Sequence, residues 1–455
     1  MTGQDPNVLV VILDSLRARN TTLSGYHRET TPFLSEFAES ATVYTQARAA
    51  AARSLPSHAS LFTGHPPQEH GLHTLSKRIR SGESVFDRLE IRGYATALFS
   101  DNPYITDLDT GLSTGFQHVY NNRDLFEAGV SPSAFVEEEG LDYREYLRAI
   151  ATSEAPLKST LNGLSWMAKW RSAGWLIERS VFTRGFEYAS AFADWRRDRT
   201  GPWAACVNLM DTHVPFRPDA KYDRWQTDES RSTRRSADMD DIHETEQWKH
   251  ELEVNAYDGT IRQADAVVER LIEGLRADGV ADETLVIVTS DHGEAFGERR
   301  VYDGSPDVGH GGSVEEPVLH VPLVVKEPNQ TTGRTVETPV SLAATPGEIL
   351  AAAGADDGGY GTRETVVAGA RVNGADVHAV YEPADRGVRK YVLSETRSYT
   401  EAVPTPRDSY LTEPTVPDRV HETVGSLTDA GVTRSESADV YRDTERRLSA
   451  LGYTE

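Results

Sequence analysis

Six consecutive apolar residues, Val8-Leu9-Val10-Val11-Ile12-Leu13, stand near the start of the chain and give way at once to Asp14-Ser15. A short β-branched run without alternation predicts a parallel strand buried on both faces. Ala204 to Leu209, Leu285 to Thr289 and Val321 to Val325 repeat the pattern, and Ala95 to Phe99 follows the turn at Gly93-Tyr94. Between these runs the period changes. Phe33, Leu34 and Phe37 share one face of a helix over Thr30 to Ser40, Val85 to Ile91 has similar spacing, and Glu244 to Leu275 is long, polar and helical. Strands alternating with helices predict an α/β fold with a largely parallel sheet.

Two stretches break the rhythm. From about Asp124 to Arg199, Trp166, Trp170, Trp175 and Trp195 lie among scattered Arg and Lys. This insert reads either as a lid that meets an amphiphilic substrate or as a helical pair packed on the sheet; its weak amphipathic pattern favours the pair. Past about Glu327 come short strands, Gly/Asp turns and Val403-Pro404-Thr405-Pro406, closed by a helix over Ala438 to Leu451. The expected division is therefore residues 1–330 for the sheet domain and 331–455 for a smaller C-terminal subdomain. No internal repeat is present.

Charge narrows the partners. The formal net charge is −24, and seven of the 47 basic residues are lysine. Acidic, lysine-poor surfaces are similar to those of proteins from salt-in halophiles, where a Debye length of about 3 Å at molar salt screens self-repulsion. Nucleic acid is excluded, since phosphate binding needs a basic footprint. The lone cysteine, Cys206, falls inside an apolar strand and is given no chemistry. The start of the chain lacks a basic n-region, and Val8 to Leu13 is too short for a membrane span, so the expectation is a cytoplasmic protein without a transmembrane segment. Oligomeric state is not legible.

The candidate chemistry sits where strands end or helices begin, which is where open α/β sheets build sites. Asp14 follows the first strand. Ser54-Leu55-Pro56-Ser57-His58 opens a short apolar helix that ends at Gly64. Asn208-Leu209-Met210-Asp211-Thr212-His213-Val214-Pro215 follows a strand, as does Ser290-Asp291-His292-Gly293-Glu294, with Gly309-His310-Gly311-Gly312 beyond. Carboxylates and a neutral imidazole are ligands for a divalent cation, so Asp14, Asp291 and His292 are a candidate metal set, with Ser54 Oγ completing it. The carboxylates favour Ca²⁺, Mg²⁺ or Mn²⁺, and His292 moves the balance towards Mn²⁺ or Zn²⁺. His213 and His310 are then available to protonate a leaving group or grip an oxyanion. Each piece alone also reads as a turn, a cap or a hydrogen-bonded loop residue. The order of the pieces makes coincidence improbable.

That order resembles the sulfatase family of the alkaline phosphatase superfamily. The resemblance covers roughly Asn7 to Lys326 and is most specific at Asn7 to Asp14, Ser54 to Gly64 and Thr289 to Lys326. It implies an alkaline-phosphatase-like mixed, largely parallel sheet flanked by helices, a smaller C-terminal subdomain, one divalent metal on Asp14, Asp291 and His292, and Ser54 at the nucleophile position. It implies that His213 and His310 assist the leaving group or hold the substrate. Sulfatases of this family read C-x-P-S-R or S-x-P-S-R and oxidise the first residue to formylglycine; here the fifth position is His58. The G-K-W-H segment expected after Gly93-Tyr94 is replaced by Leu98-Phe99-Ser100-Asp101-Asn102-Pro103, and Asp291 is followed by His292 where arylsulfatases have Asn. His58 and Asn102, in the departing segments, are the expected substrate-binding residues. The first reading is hydrolysis of small-molecule or glycan sulfate esters through Ser54 or its formylglycine form. The alternatives are a phosphomono- or diesterase, or a phospho-alcohol transferase acting on a glycan or lipid, with unmodified Ser54. A non-catalytic binding protein is a further alternative, which the intact set of metal positions argues against.

Overall fold

The first apolar run forms the strand Asn7–Leu13, buried along its whole length. It pairs in parallel with Trp203–Leu209 on one side and Thr284–Thr289 on the other. The computed structural model describes residues 5–121, 130, 143–153, 155–171, 185–230, 247–300, 306–355, 365–372, 374–395, 397–405 and 408–436. The expected closing helix, Trp175 and much of the stretch from 124 to 184 lie outside these residues.

The three central strands belong to an eight-stranded sheet in the order Arg334–Val336, Thr42–Tyr44, Leu323–Lys326, Thr284–Thr289, Asn7–Leu13, Trp203–Leu209, Ala95–Ser100, His118–Tyr120. Leu323–Lys326 runs antiparallel to both neighbours, so the sheet is mixed. That strand begins after Pro322, which has no N–H to give to a ladder.

Both faces of the sheet are covered, which is why its strands carry apolar runs instead of alternation. Val8, Val10 and Ile12 face a core with Leu55, Ala59 and Phe62 of the helix Ser54–Thr63 and Phe86 of the helix Val85–Ile91. Leu9, Val11 and Leu13 face a second core with Phe33 and Phe37 of the helix Pro32–Phe37, Phe192 of Gly185–Arg197 and Ile261 of Gln247–Ala277. Each such side chain, fully buried, contributes about 1.5–3 kcal/mol. Trp195, one of the four insert tryptophans, belongs to this second core, edge-on to Phe99 and Trp203. Cys206 is buried in its strand, and burial pushes its thiol well up. Two further helices of the insert, Tyr143–Thr152 and Pro156–Arg171, precede it. None of the described helices is long and apolar enough to cross a membrane.

A second sheet is an antiparallel meander of Val366–Val372, Ala375–Pro383, Val388–Ser394, Ser398–Thr405 and Asp408–Glu413. Its Ala368, Ala379, Tyr381 and Val392 share the first core with the helix Ser54–Thr63. The Gly369 N–H donates to the Ala50 carbonyl at 2.9 Å, which ties this sheet to the chain just ahead of Ser54.

The helix Pro32–Phe37 has no capping contact from its own N-cap, Thr31. Asp265 supplies it from the long helix, accepting from the N–H groups of Phe33 at 2.8 Å and Leu34 at 2.9 Å. Burial lifts this carboxyl to about 7. Between the ordinary carboxylate value and 7, the folded chain therefore holds a proton that the unfolded chain has released, so this group's contribution to stability falls as pH rises through that window. Urea midpoints at pH 5 and pH 8 are expected to fall less in Asp265→Asn than in the parent. An equal fall in both would remove Asp265 as a cause.

Candidate active site

Parallel strands bring their C-terminal ends to one edge, and the chemistry-bearing residues follow. Ile12 is in register with Asn208 and Thr289, and Ser100 with Asn208, so the residues just beyond each strand become neighbours. Asp14, Asp291 and His292 are all buried, and each brings one potential ligand atom within 4.8 Å of the others.

Asp14 Oδ1 accepts from the Ser15 hydroxyl at 3.1 Å, and Oδ2 from Asn102 Nδ2 at 2.9 Å and Asn208 Nδ2 at 3.4 Å. Asp291 Oδ1 accepts from the N–H groups of Ser15 at 3.1 Å and His292 at 2.9 Å. Ser15 reaches it with a left-handed backbone, φ 63°, a conformation that costs a non-glycine residue of order 1 kcal/mol and collects at functional sites. Asp291 Oδ2 is buried with no hydrogen-bond partner among the described residues, 3.3 Å from His292 Nε2 and 3.7 Å from His58 Nδ1. His292 Nδ1 lies 2.9 Å from the Gly293 carbonyl, and donation there aims Nε2 back at the carboxylates.

Charge in this trio is tightly matched. Burial works to raise the Asp291 carboxyl, but His292 and His58 outweigh it and hold it below its ordinary value. Burial works to lower His292, but Asp291 and then Asp14 outweigh it and hold the imidazole above its ordinary value. The two carboxylates thus call for positive charge between them, which a proton on His292 or a divalent ion at Nε2 would supply.

Ser54 is the first residue of its helix, with Pro56 in the first turn and Gly64 at φ 84° closing the far end through a 3.0 Å bond to the Ser60 carbonyl. Its Oγ lies 3.1 Å from His292 Nε2. Ser57, one turn on, donates to the Asp291 carbonyl at 2.5 Å and fixes the helix against the Asp-His turn.

The other expected residues are placed as follows. The His310 ring stacks on His292 at 4.3 Å and meets His213 edge-on at 5.3 Å, so three imidazoles form a row whose first member, His292, adjoins Ser54. His310 Nδ1 is 3.2 Å from Glu294 Oε2, and His213 Nδ1 is 2.7 Å from the Val214 carbonyl. Burial, then His292 and His213, drive His310 well below the ordinary imidazole value. His58 and Asn102 are fully buried and meet chain atoms. The His58 nitrogens face the Ser54 carbonyl at 2.8 Å and Asn208 Oδ1 at 3.3 Å, and Asn102 caps the short helix Pro103–Thr106 while donating to Asp14.

Sequence reasoning passed over Asn208 and Glu294. Asn208 is the polar residue in an apolar strand, a visible signal, and its side chain touches Asp14, Ser100 and His58. Glu294 stands in the Asp-His-Gly-Glu run, and burial raises its carboxyl to about 7. Tyr257, whose hydroxyl donates to the Ser15 carbonyl at 2.7 Å and accepts from the Arg17 N–H at 3.0 Å, lies mid-helix and left no trace in the local pattern.

A family model described as sulfatase matches residues 6–355. Mouse steryl-sulfatase is 27% identical over 404 residues, covering 74% of this chain and 60% of the mouse protein, so the chain spans about three-fifths of that relative. The phosphonate monoester hydrolase of Agrobacterium radiobacter superposes with a TM-score of 0.60 at 17% identity, covering 98% of this chain and 94% of that one. A structure solved with its substrate D-glucosamine-2-N,6-O-disulfate superposes with a TM-score of 0.62 at 13% identity, covering 99% and 98%. The fold is the alkaline-phosphatase-like one: a large, mostly parallel sheet between helices and a separate C-terminal antiparallel sheet.

Proposed function

From a chain that belongs to the sulfatase family, we propose the hydrolysis of sulfate esters, with Ser54 or its formylglycine form as nucleophile and a divalent cation held by Asp14, Asp291 and His292. The observation that carries this reading is the 3.1 Å approach of Ser54 Oγ to His292 Nε2, beside two buried carboxylates. Asp291 Oδ2, which has no donor among the described residues, supports a cation at this point, since a buried carboxylate oxygen without a donor is costly. When bound, the ion supplies charge that lowers the hydroxyl pKa and neutralises the ester oxygens.

The residues of the chain do the rest. Ser54 releases its hydroxyl proton to solvent and Oγ attacks the sulfur while the bond to the leaving oxygen breaks, and His213 or His310 gives that oxygen its proton. Water then cleaves the sulfo-serine and restores the hydroxyl. Asn102 and Asn208 hold Asp14, and His58 holds Ser54 and Asn208, so these three act as positioning residues.

His58 at the fifth motif position favours a second reading, in which Ser54 stays unmodified and attacks phosphorus in a phosphate mono- or diester. Phospho-alcohol transfer to a glycan or lipid would start from the same phospho-serine. Mass spectrometry of the Ser54 peptide from native protein separates these readings. A peptide lighter by one hydrogen pair supports formylglycine and sulfate esters; an unmodified serine supports phosphate esters. In either case the protein with Mn²⁺ or Ca²⁺ is expected to cleave 4-nitrophenyl sulfate or phosphate and to stop on chelation. Release from neither ester would overturn the proposal.

A further inference from the structure

Arg53 immediately precedes Ser54, and the two side chains diverge. Ser54 is fully buried, whereas Arg53 is exposed at the N-cap of the same helix, with extended backbone at φ −140° and ψ 154°. The Arg53 stem lies flat across Gly311. A Cβ at Gly311 would stand 2.1 Å from Arg53 Nε, 2.6 Å from Cγ and 2.8 Å from Cδ, and Gly311 has φ 89° in any case. A side chain at position 311 would therefore evict the arginine.

Gly311 follows His310, so this contact places Arg53 at the seam between the nucleophile's helix and the loop carrying the third imidazole. Among the described residues no hydrogen bond or ion pair engages the Arg53 guanidinium, in a chain with 71 acidic residues. Arg17 and Arg28, by contrast, are matched to Glu298 at 2.6 Å and Asp258 at 2.7 Å. A guanidinium presents five donors in a planar fork that fits the paired oxygens of a carboxylate, sulfate or phosphate. Packing of its stem on Gly311 restricts the rotamers of Arg53, which lowers the entropy lost when an anion is bound.

We propose that Arg53 clamps a second anionic group of the substrate, an oxyanion carried beside the reacting ester. The ester itself is met deeper, by Ser54 and the imidazoles, and the clamp faces whatever projects past the rim. This deepens the ester-hydrolase reading by naming a substrate class, polyanionic esters, and rests on that reading for the reaction alone.

Binding tests the clamp without requiring turnover. The probes are phenylphosphonate and its ortho-, meta- and para-carboxylated derivatives, titrated calorimetrically into the protein with Mn²⁺. At least one carboxylated isomer is expected to bind the parent about tenfold more tightly than phenylphosphonate, the worth of one charge-assisted hydrogen bond at a partly exposed site. In Arg53→Ala that ratio is expected to collapse towards one, and in Arg53→Lys to be recovered in part. A parent that prefers no isomer overturns the clamp, and so does a preference that persists in Arg53→Ala. The ester assay keeps the two ideas apart. A lost preference in a protein that cleaves neither ester leaves the clamp standing without the hydrolase, and ester cleavage with no preference leaves the hydrolase without the clamp.

Discussion

Ser54→Ala is expected to lower kcat by roughly 10³-fold or more, about 4 kcal/mol of transition-state stabilisation. The size follows from the role. If Oγ forms the covalent bond, its loss leaves the cation site and imidazoles with nothing to carry the group between substrate and water. The fold has less at stake. Removing one buried hydroxyl costs about 1 kcal/mol, and the helix keeps Pro56, the Gly64 cap and the Ser57 bond to Asp291. The measurement is single-turnover hydrolysis with either nitrophenyl ester, alongside thermal unfolding. A variant that folds but keeps activity within tenfold would mean that water attacks directly and that Ser54 merely lines the site. Retained KM with lost kcat is the expected pattern, because the hydroxyl's work lies in the transition state.

The parts legible in the sequence are those whose cause is local. A β-branched run such as Val8 to Leu13 has one stable use, a strand covered on both sides, and all its residues are buried between two cores. Pro56 and Gly64 bracket the helix that opens at Ser54 by backbone restriction, so its bounds could be read off directly. The convergence of Asp14, Asp291 and His292 was legible because strand ends meet in this architecture, however far apart Asp14 and Asp291 lie in sequence. What escaped depends on tertiary register. His58 reads as a substrate ligand from its position in the motif, and nothing local in the sequence tells that its ring also reaches Asn208 on a neighbouring strand. Asn102 likewise finds Asp14 across the sheet end. The reversed direction of Leu323–Lys326 was invisible because an apolar run carries no arrow. Trp195 was set with the insert by composition, and its packing against Trp203 assigns it to the core.

Glu316→Gln is expected to destabilise the chain by about 3–5 kcal/mol, the cost of removing one partner from a buried ionic cluster. Glu316 stands where the two sheets meet. Its Oε2 is 2.8 Å from Arg48 Nη2, beside the large sheet, and its Oε1 accepts from the Tyr381 hydroxyl at 2.9 Å and lies 3.5 Å from Lys390 Nζ in the second sheet. Arg48 also lies over the Tyr381 ring at 4.8 Å, and Lys390 is 3.6 Å from Glu401. Arg48 and Lys390 are fully buried, so the neutral amide would take from Arg48 its carboxylate partner and leave Lys390 with Glu315 and Glu401. Burial works to raise the Glu316 carboxyl, but Arg48, Lys390 and His320 outweigh it and bring it to about 2. A carboxyl depressed on folding contributes stability above its unfolded value, about 4.3, and loses it as pH falls towards 2. The gap between parent and Glu316→Gln in urea denaturation should therefore be full at pH 7 and narrow below about pH 4.3. A gap under about 1 kcal/mol at pH 7 would mean that this cluster is solvated, as surface ion pairs are. Because the Gly293 N–H donates at 2.7 Å to the Val318 carbonyl, two residues beyond Glu316, loosening this junction also frees the turn that carries Asp291 and His292. The variant's activity should accordingly fall at temperatures below its unfolding midpoint, linking the second sheet to the chemistry through one short helix.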